Sequence, residues 1–419
     1  MDHGSHLAET TSGRRSRQGL AARWREIHGA NNWEGLLDPM DPVLHTELIR
    51  YGELAQATYD SFDYDRFSPY SGSCRFPTKT FFHDVNLAAA GYDVTRYLYA
   101  TWNDSKLPNF GNQKHHKPTT TNKLWSESGT FIGYVAVSSD EETSRIGRRD
   151  IAVAWRGTIT RLEWVADLTA NQRLLSEMGV RKLVELYHGR GDEVSVTVTG
   201  HSLGSALAMV NAFDIAETSA NATPAIAGGK TTTAPVCVFS FAGPRVGNLS
   251  FKRRFEHDLG VRALRVVNVH DGVPKVPGVF LNESALPEDV LRAVDELGVA
   301  GVYAHLGVVL ELDHEVSPFL KKTMDVTCYH NLEAYLHLLD GFRGSGEVFE
   351  LRGRDPALVN KSADFLRDEC MVPPVWYQAE NKGMVRMEDG RWVLAPRHRE
   401  IDEHPEDTDH HLQQLGLTA

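Results

Sequence analysis

The sequence predicts an α/β protein whose mostly parallel central sheet is covered by helices. Three observations carry that expectation. From about Phe131 onward, short apolar runs alternate with helix-like stretches, the pattern of parallel strands joined by crossover helices. One of these runs, Val194-Ser195-Val196-Thr197-Val198-Thr199, alternates valine with small hydroxyl residues and suits a buried central strand. It leads straight into Gly200-His201-Ser202-Leu203-Gly204, and an Ala-, Leu- and Met-rich stretch follows from Leu203 to Glu217.

Taken in order, Trp24 to about Tyr59 reads as helical around a turn at Asp38-Pro39-Met40-Asp41-Pro42, with apolar residues at helical spacing from Glu47 to Ala55. Asn103 to Ser128 is polar and reads as a solvated loop. His115 and His116 inside it lack carboxylates at ligand spacing. Phe131–Val137 and Asp150–Trp155 read as strands, and Arg181–Tyr187 as a helix. Beyond the central strand, Val236–Phe241 and Ala263–Val269 are further apolar runs, with a helix-like segment from Leu249 to Leu259 between them. In such sheets chemistry gathers at the carboxyl ends of the strands.

Composition narrows the function classes. The chain has 419 residues, 41% hydrophobic and 24% charged, with a net charge of −12. That balance gives no reason to expect a nucleic-acid partner. No apolar run is long enough to span a bilayer, so a lipid substrate would be met from the aqueous side. Cys74, Cys237, Cys328 and Cys370 are widely spaced and suggest neither a zinc site nor a disulfide framework. No metal and no cofactor are expected. The arginines among residues 14–25 give the N-terminus a transit-peptide flavour, which Asp2 and Glu9 weaken.

The Gly-x-Ser-x-Gly segment between a strand and a helix has the form of a nucleophile elbow with Ser202 at its tip. A serine hydroxyl needs a base, and the base an orienting carboxylate. In elbow enzymes the carboxylate follows the serine and ends a later strand. Asp271 ends the run Leu264-Arg265-Val266-Val267-Asn268-Val269-His270-Asp271 and is followed by a Gly-Val-Pro loop. For the base, His305, His314, His330 and His337 compete. His330 sits where a loop meets the helix-like run Leu332–Leu336. Donors to a developing oxyanion are expected from the backbone N–H of Leu203 and from Thr158, after the strand-ending Ala154-Trp155-Arg156-Gly157. The next segment is a short amphipathic helix candidate. Arg161, Leu162, Trp164, Val165 and Leu168 mark it as a lid with an apolar side.

Together these residues resemble the class-three, fungal-type lipase family. The pieces are Trp155-Arg156-Gly157-Thr158, the Arg161–Leu168 segment, Thr199–Gly204, Phe241-Ala242-Gly243-Pro244-Arg245-Val246-Gly247-Asn248 and His270-Asp271-Gly272-Val273-Pro274. Trp33–Pro39, Ser317–Lys321, His330-Asn331-Leu332-Glu333 and Asn381–Val385 are similar to the plant plastid phospholipase A(1) branch, the acylhydrolases linked to jasmonate precursor release. The resemblance singles out His330 among the histidines. It implies an α/β-hydrolase fold, a Ser202–Asp271–His330 triad and hydrolysis of the first (sn-1) acyl ester of membrane glycerolipids. Phosphatidylcholine and galactolipids are the implied substrates, with triacylglycerol also open. It also implies peripheral membrane contact and a plastid address, with mitochondrion and cytoplasm as alternatives. The organisation expected is a disordered leader over 1–23, a lipase domain with an N-terminal helical extension over 24–353, a packed extension over 354–395 and a mobile tail over 396–419.

Two departures stand out. Relatives read Gly-His-Ser-Leu-Gly-Gly, whereas Ser205 follows Gly204 here. Several tens of residues that relatives carry between the lid and the pre-elbow helix are also absent. Residues 169–180 hold no strand-like run; losing an inner strand would leave its neighbours unpaired, so either the sheet closes differently here or the chain is a shortened form of impaired stability. That motivates an alternative, a catalytically impaired lipase-like protein that binds lipid or a partner. An esterase for small soluble esters is a third reading, which the apolar lid argues against.

Overall fold

The computed structural model describes residues 19–65, 67–68, 70–100, 130–158, 176–224, 231–278, 302–377, 384–386 and 392–394. Among them, seven strands form one sheet: β1 (Tyr92–Ala100), β2 (Thr130–Ser138), β3 (Arg149–Trp155), β4 (Val194–His201), β5 (Val236–Phe241), β6 (Arg262–Asn268) and β7 (Val308–Leu312), hydrogen-bonded in that order. The pairs β1/β2 and β2/β3 are antiparallel. From β3 to β7 every pair is parallel. This is the mostly parallel, helix-covered sheet that the sequence predicts.

Period-two alternation divides the core into two layers. Val194, Val196 and Val198 of β4 join Ile151, Val153 and Val238 on one face. There they pack against α4 (Ser176–Gly189) and α5 (Leu203–Glu217) through Val180, Val184, Met209, Ala212 and Ile215. Ala152, Ala154, Phe239 and Phe241 point to the other face. That face is covered by α1 (Leu20–Ile27), α2 (Pro42–Asp60) and α6 (Leu332–Gly341). A short helix, α3 (Asp140–Ile146), joins β2 to β3.

Helix α2 starts where it does because Asp41 Oδ1 accepts from the N–H groups of Val43 and Leu44 at 2.8 and 3.1 Å, with Pro42 at the first helical position. Its buried residues include Leu44, Leu48, Tyr51 and Leu54, and burial of each large apolar side chain stabilises by about 1.5–3 kcal/mol. Tyr51 also stacks on Phe239 of β5 at 4.8 Å.

The hydroxyl residues of β4 have a separate task. Ser195, Thr197 and Thr199 face the α2 side and carry no exposed surface. Ser195 and Thr197 donate to Asp150 Oδ1 at 2.6 and 2.7 Å, and Tyr51 and Tyr92 donate to its Oδ2 at 2.9 and 2.8 Å. Arg148 donates to Ser195 Oγ and to the Tyr51 hydroxyl at 2.9 and 3.0 Å. Burial alone would raise the Asp150 pKa, but Arg148, His28 and the two hydroxyls outweigh it and hold the carboxyl below its ordinary value.

Four expectations are adjusted. The leader does not extend to residue 23, because α1 begins at Leu20 and buries Leu20 and Arg23. The turn expected at Asp38–Pro42 is longer than that, and the non-helical residues between α1 and α2 run from 28 to 41. The helix-like stretch from Leu249 runs as α-helix only to Arg253 and continues as a π-helical turn over Arg254–Asp258. Of the two readings of the shortened segment, the structure shows the first, a sheet that closes differently: β3 pairs directly with β4 over Arg149↔Val194 to Trp155↔Gly200. The backbone groups that a missing inner strand would orphan are therefore bonded to each other. The polar loop 103–128, the lid 161–168 and the tail 396–419 lie outside the described residues.

Candidate active site

Strand β4 passes into α5 through a turn that only small residues can make. A Cβ on Gly200 would stand 2.3 Å from the carbonyl oxygen of Gly204, and one on Gly204 would stand 2.3 Å from that of Trp155. Ser202 between them is held at φ 60° and ψ −127°, a conformation that costs a non-glycine residue energy and that the surrounding structure must impose. The strain has a geometric result. Ser202 stands at the start of α5, and the next residue, Leu203, is the first helical position, whose N–H has no acceptor within the helix.

Asp271 follows the end of β6, and His330 lies between a helical turn over Val326–Tyr329 and α6. Asn331 caps α6 by accepting from Glu333 N at 3.1 Å, which fixes the backbone beside His330. The fold brings the three side chains together. His330 Nε2 is 2.7 Å from Ser202 Oγ, and His330 Nδ1 is 2.7 Å from Asp271 Oδ2. Asp271 is 2% exposed. It is held by the N–H of Val273 on Oδ1 at 2.9 Å and by the Tyr335 hydroxyl on Oδ2 at 2.7 Å. Burial, then the Asp271 charge, pushes the Tyr335 phenol well above its ordinary pKa, so it stays a donor.

The other histidine candidates go elsewhere. His337 is buried against Ser317 Oγ at 2.9 Å, and His314 Nδ1 faces Asn268 Oδ1 at 3.4 Å. The backbone carbonyl of His305 accepts from Lys252 Nζ at 2.6 Å, and burial followed by Arg265 lowers the pKa of its ring to about 3.

The loop after β3 lies against the elbow. A Cβ on Gly157 would meet the carbonyl oxygen of His201 at 2.6 Å and Ser202 Cβ at 3.1 Å, so glycine permits this loop to approach the serine closely. The N–H of Gly157 donates to the Tyr59 hydroxyl at 3.0 Å, which in turn lies 2.9 Å from His201 Nδ1. The His201 ring packs 4.7 Å from that of His330, and burial, reinforced by the charge on His330, lowers its pKa well below the ordinary value. His201 therefore stays neutral.

A family model described as Lipase (class 3) matches residues 173–281, which hold the elbow and Asp271. The chain is 48% identical to phospholipase A1-Igamma1, chloroplastic, of Arabidopsis thaliana over 441 residues, covering 94% of this chain and 82% of that protein. It is 40% identical to phospholipase A1-II 6 of Oryza sativa subsp. japonica, covering 92% and 97%. The chain belongs to the class-three lipase family, on its plant phospholipase A1 branch. It is a carboxylic ester hydrolase of α/β-hydrolase fold. Among solved structures, a triacylglycerol lipase from Penicillium expansum aligns with a TM-score of 0.34 at 16% identity, covering 64% of this chain and 79% of that one, a slight likeness beside the sequence relatives.

In this lipase the serine that replaces the relatives' second glycine is accommodated. Ser205 Oγ stands 2.5 Å from Gly200 O and 2.9 Å from Phe241 O and accepts from Phe241 N at 3.0 Å. Its Cβ fits because the facing residue is Gly243, where an added Cβ would come within 2.6 Å. The hydroxyl thus fastens the elbow to β5. Sequence reasoning missed Tyr59, Tyr335 and Asn268. Tyr59 and Tyr335 sit in helices whose spacing reads as core packing, and Asn268 reads as an ordinary strand end. None carries a local signal of its role. The five lid residues, Arg161, Leu162, Trp164, Val165 and Leu168, fall outside the described residues.

Proposed function

We propose that Ser202 is the nucleophile of an acylhydrolase that cleaves the first (sn-1) acyl ester of membrane glycerolipids, phosphatidylcholine and galactolipids among them. As Ser202 Oγ attacks the ester carbonyl, its proton passes to His330 Nε2. Asp271 stabilises the imidazolium that forms, itself held by Tyr335 and Val273 N–H. The carbonyl oxygen becomes an oxyanion facing the N–H groups of Leu203 and Thr158. On collapse, the bond to the glycerol oxygen breaks and His330 returns the proton to that oxygen. Water, deprotonated by the same imidazole, then releases the fatty acid from Ser202.

The observation that carries this reading is the unbroken chain from Ser202 Oγ through His330 to Asp271, with both links at 2.7 Å, mounted on a strained elbow. The substrate class rests on the names of the relatives, which are phospholipases A1. The plastid address rests on the word chloroplastic in the names of Arabidopsis relatives. No helix among the described residues is long and apolar enough to cross a membrane, which agrees with approach as a peripheral protein, with residues 161–168 as the lid. We read the catalytic unit as running from Leu20, where α1 begins, to 353, and 354–395 as its extension. Val359, Phe365 and Leu366 lie in the shared core, and Arg354 pairs with Glu333 of α6 at 2.6 Å, which supports that division. The lipid-binding alternative was motivated by the missing segment; β3 and β4, on either side of it, are paired with each other, which favours the enzyme reading.

The test is fatty-acid release from vesicles of phosphatidylcholine and of monogalactosyl diacylglycerol. Wild type is expected to exceed Ser202→Ala by about 10⁴-fold or more in kcat, with the folded state intact by circular dichroism. Equal release by the two proteins would refute the assignment.

A further inference from the structure

The sequence points to no metal, yet the fold assembles a ligand set behind the active site. Strands β6 and β7 are parallel and in register, with Asn268 opposite Leu312. Two residues beyond each member of that pair stand His270 and His314. The register therefore sets two imidazoles side by side at the carboxyl edge of the sheet, with ring centroids 4.6 Å apart. Asp313 adds a carboxylate: its Oδ1 lies 3.2 Å from His270 Nε2.

We propose that His270, Asp313 and His314 bind a divalent transition-metal ion of the zinc class. Each residue offers one ligand atom, and the three atoms lie within 4.8 Å of one another. A tetrahedral zinc ion with bonds of about 2.0–2.1 Å holds its ligand atoms about 3.3 Å apart. The His270–Asp313 separation is already at that spacing. Side-chain torsions of His270 and Asp313, 36% and 41% exposed, bring the third atom in and leave an open face for water. Two imidazoles and one carboxylate suit zinc rather than calcium or magnesium.

A surface ion pair would use one histidine, and the second is what argues for a site. His314 is buried, its Nδ1 stands 3.4 Å from Asn268 Oδ1, and its ring stacks on Tyr329 at 4.5 Å. An outer hydrogen-bond partner of this kind orients a ligating imidazole.

The location gives the ion a mechanical role. His270 directly precedes Asp271, and Tyr329, stacked on His314, directly precedes His330. Asn268 Nδ2 also donates to Tyr329 O at 3.3 Å. A bound ion would brace the two segments that carry the acid and the base.

The experiment uses the full chain, stripped with a chelator that is then removed, and titrated with Zn²⁺ while thermal unfolding is followed. Co²⁺ serves as a spectroscopic probe through its visible d–d absorption. Wild type is expected to gain stability with Zn²⁺ and to show tetrahedral Co²⁺ bands. His270→Gln should abolish both, and Asp313→Asn should weaken binding by more than about tenfold. Both changes are at half-exposed positions, so either variant can carry the test if the other folds poorly. The histidine-rich stretch over residues 400–411 is unchanged in both, so metal held there cancels in the comparison. Zn²⁺ shifts of equal size in wild type and variants, or no shift in wild type, would overturn the proposal.

Discussion

Two serine–aspartate constellations sit at opposite ends of β4, and only one can do chemistry. At the base of the sheet Ser195 donates directly to Asp150, with Thr197, Tyr51 and Tyr92 completing the carboxylate's partners. At the top Ser202 reaches Asp271 through His330. Both carboxylates are buried, and both accept from a tyrosine hydroxyl. The difference lies in what stands between serine and acid. At the base Ser195 bonds the carboxylate directly with no imidazole between them, and Arg148 adds a fixed positive charge. At the top an imidazole intervenes, 19% exposed, and the serine is held in a strained turn. A polar network closed on all sides stabilises a fold; one left open at a single hydroxyl, with a base behind it, can react.

The comparison is tested first by the same change at both ends. Asp271→Asn should leave the fold intact and lower kcat by about 10⁴-fold, because the imidazole loses its orienting acceptor. Asp150→Asn should do the reverse. It removes one of the two acidic charges, Asp150 and Glu47, that act on buried Arg148, at a cost of about 3–5 kcal/mol in unfolding free energy, while activity per folded molecule stays near wild type. Urea unfolding and esterase rates on both variants decide this. A stability loss in Asp271→Asn as large as that in Asp150→Asn would erase the distinction.

A smaller effect concerns acid. His28 is buried against Thr197 Oγ1 at 2.9 Å, and burial, followed by Arg148, lowers its pKa from 6.5 to about 3. Below pH 6.5 the unfolded chain takes up a proton that the folded ring refuses. Stability is therefore lost as pH falls from 6.5 toward 3, by about 2 kcal/mol at pH 5 from this group. His28→Gln should be less stable than wild type at neutral pH yet lose less on acidification. Urea midpoints at pH 7.5 and pH 5 measure this, and identical slopes would remove His28 from the network.

Much of this was legible in the sequence, for physical reasons. The buried parallel strands announce themselves as apolar runs, and β5 matches its expected bounds residue for residue. Ser202 and Asp271 could be found because an elbow and a strand end are local features. The outer strands were not found. β1 carries register shifts at Val94/Arg96 and Leu98/Tyr99 that spoil its alternation, and β7 has only five residues. Tyr59, Tyr335 and the pair His270 and His314 were hidden because their roles come from contacts between distant segments. How the sheet closes around the shortened segment was not legible either, because the direct β3–β4 pairing joins strands distant in sequence.

The central claim is that Ser202 alone is made nucleophilic, by His330 backed by Asp271. Labelling the full chain with a fluorophosphonate probe and locating the adduct by mass spectrometry measures that reactivity at every serine together. The account predicts a single fast adduct on Ser202, lost in His330→Ala, with Ser195 unlabelled. An adduct on another residue, or labelling of Ser202 at the same rate without His330, would contradict it.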